Sequence, residues 1–195
     1  MNREVFNVNR RITSLDEIVE EVPEGTTKIF CRNKGLLSLR GIEMLPFVTT
    51  LNVSSNRVTS LEGLAGSNVT ELYISGNRVT SLVGLAGSKV TKLDIDDNHL
   101  TSLEGLAGSN VTTLSIYDNQ VASLEDLAES NVTDLYIYGN QVTSLEGLAG
   151  SNVTELDIGN NPCSEQFEEE FGGDVERAKQ YYEDHRNTPK EPGFD

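Results

Sequence analysis

The sequence predicts an α/β solenoid, in which short strands from successive coils form one parallel sheet. Nearly the same 21 residues recur from Val48 onward, and this places leucines at a constant spacing: Leu51, Leu72, Leu93, Leu114, Leu135 and Leu156. Each copy contains an alternating apolar and polar stretch, followed by a glycine-containing stretch too short for a stable α-helix. A fixed period of this length is typical of a solenoid, whose units bury their apolar faces on their neighbours.

The frame shared by the copies is V-T-x-L-x-I-x-x-N-x-V-T-S-L-x-G-L-A-G-S-x. The L-x-I stretch predicts a strand with one face buried, and stacked copies predict parallel strands about 4.8 Å apart. In the second half, glycines such as Gly84 and Gly87 would each cost about 1 kcal/mol in a helix interior. We therefore expect an extended segment with a single 3₁₀ turn around Ser-Leu-x-Gly-Leu.

Every copy keeps an asparagine just after the strand. An amide side chain donates and accepts hydrogen bonds at once, so it can bond the turn backbone of its own coil and of a neighbouring coil. The sequence therefore predicts a structural asparagine ladder through the core, formed by Asn56, Asn77, Asn98, Asn119, Asn140 and Asn161.

The pattern V-x-x-L-x-I-x-x-N-x-V resembles the leucine-rich repeat signature, and six consecutive copies fit it between Val48 and Cys163. This resemblance implies a right-handed, curved solenoid with the parallel sheet on its concave face. It also implies 3₁₀ or irregular structure on the convex side. The short period is similar to that of the bacterial or internalin-type repeats and of the phosphatase-regulatory-subunit type.

The two ends depart from the frame and predict caps. Residues 1–28 are assigned to an N-terminal cap, with a capping box of Ser14 and Glu17 opening a short helix through about Val22. The array itself covers 29–161, although Lys34 stands where its first coil should carry asparagine. Residues 162–186 predict a C-terminal helical cap, with Asp174 as the N-cap of its second helix. We expect 187–195 to be a disordered tail.

Charge narrows the classes of partner. The chain of 195 residues carries 31 acidic against 15 basic residues, a formal net charge of −16, which argues against binding nucleic acid or anionic membranes. The charge is uneven, because 1–47 hold 7 acids and 7 bases whereas 48–161 hold 14 acids and 4 bases. A partner should therefore bind in one orientation and in a salt-sensitive manner.

Location and oligomeric state follow from weaker signals. The N-terminus lacks the apolar run of a signal peptide, and no stretch approaches the roughly 20 apolar residues of a membrane span. Two distant cysteines, Cys31 and Cys163, are read as separate thiols in a reducing compartment. We expect a cytoplasmic monomer, with export by a non-classical route as the alternative.

We expect the functional residues at the positions that vary between copies of the repeat. The variable positions that should project from the concave face hold four of the six tyrosines and an acidic group: Tyr73, Tyr117, Tyr136 and Tyr138, with Asp94, Asp96, Asp97 and Asp118. Exposed aromatic residues are favoured anchors for protein partners. The acidic group has three interpretations, which are a solvated patch, a docking site for Lys or Arg, and, least favoured, a Ca²⁺ site.

No sequence motif indicates catalysis. His99 occupies a position that holds Arg or Gln in other copies, and no nucleophile, phosphate-loop or zinc motif occurs. We predict a protein with no enzymatic activity, cofactor or metal, a non-catalytic protein–protein interaction module that binds a partner protein on the concave face. The alternatives are a regulatory subunit docking on an enzyme such as a phosphatase, and a microbial or viral effector or adhesin.

Overall fold

The computed structural model describes residues 4–186 and contains one sheet of eight parallel strands. The predicted disordered tail at 187–195 lies outside the described residues. Each strand has three residues, and the strands are β1 (Val5–Asn7), β2 (Lys28–Phe30), β3 (Thr50–Asn52), β4 (Glu71–Tyr73), β5 (Lys92–Asp94), β6 (Thr113–Ser115), β7 (Asp134–Tyr136) and β8 (Glu155–Asp157). The strands pair in sequence order, one per coil, and this confirms the predicted solenoid.

The leucines of the repeat lie directly beside one another across the sheet. Leu51 pairs with Leu72, and Leu72 pairs with Leu93, so equivalent side chains stack along the coil axis. All three are at most 1% exposed, whereas the residues on either side of Leu72 and Leu93 in their strands are half-buried or exposed. One continuous apolar core results, running from Val8 in the first coil to Ala178 near the C-terminus.

The second half of each coil closes in short turns, with or without a 3₁₀ helix. The coils closed by Gly84 (φ 110°) and Gly105 (φ 96°), both in a left-handed conformation, have two short turns and no 3₁₀ helix. At Gly105 a Cβ atom would lie 2.5 Å from the Leu82 carbonyl carbon, so a larger residue would clash with the preceding coil. The predicted 3₁₀ helix forms at Ile42–Met44, directly after the left-handed Gly41, and again at Glu125–Leu127 and Glu146–Leu148.

The asparagines after the strands connect neighbouring coils. The Asn98 amide nitrogen donates to the carbonyls of Ile95 and Asp96 in its own coil and to Ile74 in the preceding coil, at 3.0–3.1 Å. Its amide oxygen accepts from the Val79 N–H at 2.9 Å. Equivalent bonds are made at the other copies, and all six asparagines are at most 9% exposed: Asn56, Asn77, Asn98, Asn119, Asn140 and Asn161.

A second set of side-chain bonds explains the repeated S-N-V-T letters. The amide of Asn131 donates to the Ser109 carbonyl at 2.7 Å, and that of Asn152 donates to the Ser130 carbonyl at 2.8 Å. The threonine of the same motif bonds backward as well, since Thr133 Oγ1 donates to the Thr112 carbonyl at 3.3 Å. Both bonds join adjacent coils, so these letters serve the scaffold.

The N-terminal segment contributes a coil of its own. Strand β1 pairs in register with β2, with Phe6 opposite Ile29. The predicted helix through Val22 is shorter than expected, because only a 3₁₀ helix forms at Leu15–Ile18 before the chain turns. The Glu17 carboxylate accepts from the Ser14 N–H at 3.3 Å, which is the acidic half of the predicted capping box.

Two helices cover the C-terminal end of the core. They are α1 (Ser164–Phe171) and α2 (Val175–His185), and Asp174 caps α2 by accepting the Arg177 N–H at 3.0 Å. Phe167 and Phe171 are each 4% exposed and pack on the last coil. The Arg186 guanidinium donates to the Ala149 carbonyl at 2.6 Å and ties the end of α2 to the array.

We predict that Asn98→Ala lowers the melting temperature by about 5–10 °C. The substitution leaves the buried Val79 N–H without its partner, at a cost of about 1–3 kcal/mol. It also removes one of the two amide donors to the Ile74 carbonyl, which keeps the bond from Asn77 at 2.8 Å. Thermal unfolding followed by circular dichroism measures the change. The matched control is His99→Ala, an exposed neighbour in the same coil, which should shift stability by less than about 0.5 kcal/mol. An equal effect of the two substitutions would contradict the structural role of the ladder.

Candidate functional site

The outward-pointing residues of the strands form three columns, here called the sheet face. The first column holds Lys28, Thr50, Glu71, Lys92, Thr113, Asp134 and Glu155; the second holds Phe30, Asn52, Tyr73, Asp94, Ser115, Tyr136 and Asp157; the third, two residues further on, holds Arg32, Ser54, Ser75, Asp96, Tyr117, Tyr138 and Gly159. Their side chains alternate with buried leucine and isoleucine or valine, so the repeat leaves these positions free to vary.

Three of the predicted tyrosines form one cluster on the sheet face. The ring of Tyr117 makes edge-on contacts with Tyr136, at a centroid distance of 6.4 Å, and with Tyr138, at 6.0 Å. This geometry is the one that aromatic pairs prefer. Tyr138 is 44% exposed, and its ring lies over Gly159, where a Cβ atom would approach within 2.9 Å. Glycine in the next coil therefore lets the Tyr138 ring lie flat.

Two acids hold the tyrosine hydroxyls. Tyr117 donates to the Asp157 carboxylate and Tyr136 donates to the Glu155 carboxylate, each at 2.6 Å. The hydrogen bond to Glu155 is the main cause that raises the pKa of Tyr136 to about 12. Burial, followed by the bond to Asp157, raises the pKa of Tyr117. The site predicted from the sequence did not include these two acids, because Tyr117 and Asp157 lie 40 positions apart.

Tyr73 lies apart from this cluster. It is three coils before Tyr136 in the same column, and its ring receives the Lys92 ammonium group at 5.7 Å from the centroid. Its hydroxyl donates to the Glu71 carboxylate at 3.4 Å. The structure thus brings together three of the four predicted tyrosines and leaves the fourth in a separate cation–π contact.

The predicted acidic group divides into two pairs. Asp94 and Asp96 lie on the sheet face and accept bonds from serines, since Ser75 donates to Asp94 and Ser115 donates to Asp96. Asp96 also accepts the Tyr117 N–H at 2.8 Å. Burial raises the pKa of Asp96 and outweighs these bonds, with the nearby charges of Asp94 and Asp118 acting in the same direction.

Asp97 and Asp118 stand just past the strands, where the backbone is left-handed. Their φ angles are 50° and 52°, and the same column holds Asn33, Ser55, Gly76, Gly139 and Asn160, all at positive φ. Asp and Asn tolerate this conformation better than most residues, and Gly adopts it freely. The turn geometry therefore accounts for acidic residues at these two positions without a ligand, although both side chains are exposed.

No group of three or more His, Cys, Asp or Glu within residues 4–186 is arranged to hold a metal ion. Neither histidine lies on the sheet face. His99 is exposed on the flank after the strand, and the His185 ring stacks on Tyr181 in α2. The arrangement on the sheet face offers aromatic surface and carboxylates for contact with another molecule.

A solved structure of an internalin is similar to this chain in fold. Internalin C2 of Listeria monocytogenes is 26% identical, with a TM-score of 0.53 over 76% of this chain and 79% of internalin C2. The chain has an internalin-type leucine-rich repeat fold. This confirms the predicted resemblance to the leucine-rich repeats.

Two further solved structures align with this chain. This leucine-rich repeat chain aligns with a plant ice-binding protein at 16% identity and a TM-score of 0.58, over 80% of this chain and 56% of that protein, which shows a shared fold alone. The functional domain of InlJ from Listeria monocytogenes aligns at 22% identity and a TM-score of 0.46, over 75% of this chain and 41% of that one. No protein-family model and no curated protein matches the sequence.

We predict that Asp96→Asn stabilises the leucine-rich repeat array at neutral pH, with a rise in melting temperature of about 2 °C. The pKa of Asp96 is raised in the folded state, so its ionisation disfavours folding and this penalty appears as pH rises through that pKa. The amide keeps an acceptor for Ser115 and Tyr117. Melting curves of the variant and the wild type should converge as pH falls below the pKa of the carboxyl group. A gap that persists unchanged in acid would contradict this account.

Proposed function

We propose that this leucine-rich repeat protein is a non-catalytic interaction module whose protein partner binds on the sheet face. The observation that carries the proposal is the tyrosine cluster of Tyr117, Tyr136 and Tyr138, with its two edge-on contacts and its hydroxyls bonded to carboxylates. Tyrosine is enriched among the residues that dominate binding energy at protein interfaces.

The cluster is held in place before any partner arrives. Asp157 fixes the hydroxyl of Tyr117, Glu155 fixes that of Tyr136, and Gly159 lets the Tyr138 ring pack against the sheet. Ordering a mobile side chain on binding costs about 0.5–1.5 kcal/mol. A cluster ordered in the free protein avoids much of that cost, which suits it to anchor a partner.

The charges beside the cluster define the chemistry of the partner. Asp94, Asp96, Asp97 and Asp118 form no ion pair within residues 4–186, and each lies in the coil of Tyr117 or in the coil before it. A partner surface bearing Lys or Arg would gain electrostatic attraction and cation–π contact with the tyrosines. We therefore propose a partner with a basic or mixed surface, bound by the C-terminal half of the sheet face.

The location of the protein is a separate proposal. No helix in the described part of the chain is long and apolar enough to cross a bilayer. Cys31 and Cys163 are unpaired and buried, and burial raises the pKa of each thiol to about 11. Two unpaired cysteines fit a reducing compartment such as the cytoplasm.

The likeness to internalin C2 favours a microbial effector or adhesin as the second candidate function.

We predict that Tyr138→Ala weakens partner binding by about tenfold or more, the loss expected for an interface anchor. The measurement is affinity capture from an extract of the source organism, with the captured proteins quantified against the wild-type bait and binding of the selected partner then titrated. The matched control is Tyr181→Ala in α2, because Tyr181 is also 44% exposed but lies away from the sheet face.

A partner of the sheet face is one whose capture falls with Tyr138→Ala, persists with Tyr181→Ala and weakens as salt is raised. If every captured protein binds both variants as it binds the wild type, the sheet face is not the binding site. Melting curves of the two variants establish that both remain folded.

A further inference from the structure

The first two positions of the ladder column hold cations in place of asparagine. Each ladder asparagine stands five residues after the central residue of its strand, as Asn56 follows Leu51. The register of β1, β2 and β3 aligns Phe6, Ile29 and Leu51, so the same position in the first two coils falls on Arg11 and Lys34. Two like charges on adjacent coils repel each other, and an anion bound between them would offset that repulsion.

The two cations open on a groove beyond the ends of the first three strands. The groove has a cavity of about 370 Å³, and its lining includes Arg11, Thr13, Glu17, Asn33, Lys34 and Arg57. Backbone bonds hold the three coils together here, since the Ile12 N–H donates to the Lys34 carbonyl at 3.2 Å. The Arg57 N–H donates to the Leu36 carbonyl at 2.8 Å, so hydrogen-bonded backbone joins the segments that carry all three cations.

The groove has a surplus of positive charge. Its acid, Glu17, accepts bonds from the Thr13 N–H and hydroxyl, each at 2.7 Å, and pairs with Arg10 at 3.4 Å. Within residues 4–186, Arg11, Lys34 and Arg57 form no ion pair. In a chain with a formal net charge of −16, three cations without an acidic partner in one groove stand out.

We propose that this groove binds a phosphate-class oxyanion, either free or as a phosphate monoester. A phosphate dianion offsets more of the surplus charge than a single carboxylate does, and its several oxygens can accept from more than one cation. Arginine binds such anions through two parallel N–H bonds and lysine acts as a point charge, so Arg11 and Arg57 would flank the oxyanion with Lys34 between them. The site lies beyond the strand ends of coils one to three, whereas the tyrosine cluster lies in later coils.

The test is a titration of the full chain with inorganic phosphate, followed by amide NMR at constant ionic strength. We expect shifts concentrated at the groove, around Asn33 to Gly35 and at Ile12 and Thr13. Lys34→Asn is the decisive variant, because it removes the charge while supplying the residue that the ladder carries in later coils. It should weaken phosphate binding by about tenfold or more, the usual effect of losing one bond to a charged group.

Arg57→Gln should weaken phosphate binding in the same way. Its control is Arg78→Gln, because Arg78 holds the equivalent position in the next coil, directly after the ladder asparagine, but lies outside the groove lining. A parallel titration with phosphotyrosine distinguishes the two sources, because tighter binding than inorganic phosphate assigns a monoester and equal or weaker binding assigns the free anion. The proposal is overturned if phosphate causes no shifts at the groove. It is equally overturned if Lys34→Asn binds as the wild type does, or if Arg78→Gln weakens binding as much as Arg57→Gln.

Discussion

The structure depends on satisfying the backbone groups that a narrow coil buries. Each strand has only three residues, so regular sheet bonds cover a small part of every coil, and the asparagine of the turn that follows is buried. Unpaired backbone groups in that position would be costly. The ladder asparagines supply the missing partners, and every buried side-chain nitrogen or oxygen within residues 4–186 has a hydrogen-bond partner. The stacking of leucines becomes possible because those turns are satisfied.

The need to satisfy these backbone groups determines which residues can vary and contribute to binding. The leucines, the ladder asparagines, the S-N-V-T motif and the glycines of the turn are all fixed by packing or by bonds between coils. Even Asp97 and Asp118, which vary between copies, sit where the backbone is left-handed and few residue types fit well. The freest positions are the three columns of the sheet face, and the cluster around Tyr117 uses two of them.

Much of the fold could be predicted because the sequence repeats with a constant period. Period, strand position and inward-facing residues all follow from alignment of the chain with itself, and the helix caps follow from residues such as Asp174. The coil containing β1 escaped prediction, since it keeps only the I-T-S-L stretch of the frame and carries Arg11 in place of asparagine. The site was predicted less completely, because the bond from Tyr117 to Asp157 depends on how side chains reach across two coils. No local pattern encodes such a reach.

The contacts of the tyrosine cluster have a consequence for how such arrays diverge. Tyr117 meets Tyr138 in the next coil and Asp157 in the one after it, while Tyr138 needs Gly159 beneath it. Unequal recombination that removed a single coil would leave a sound scaffold, because the excised unit is interchangeable in its buried half. Loss of the coil that carries Tyr138 would nevertheless bring Tyr117 beside Gly159 on the outer surface and dismantle the tyrosine cluster in one step. Selection for partner binding would therefore preserve the order of these coils more strictly than the total number of coils.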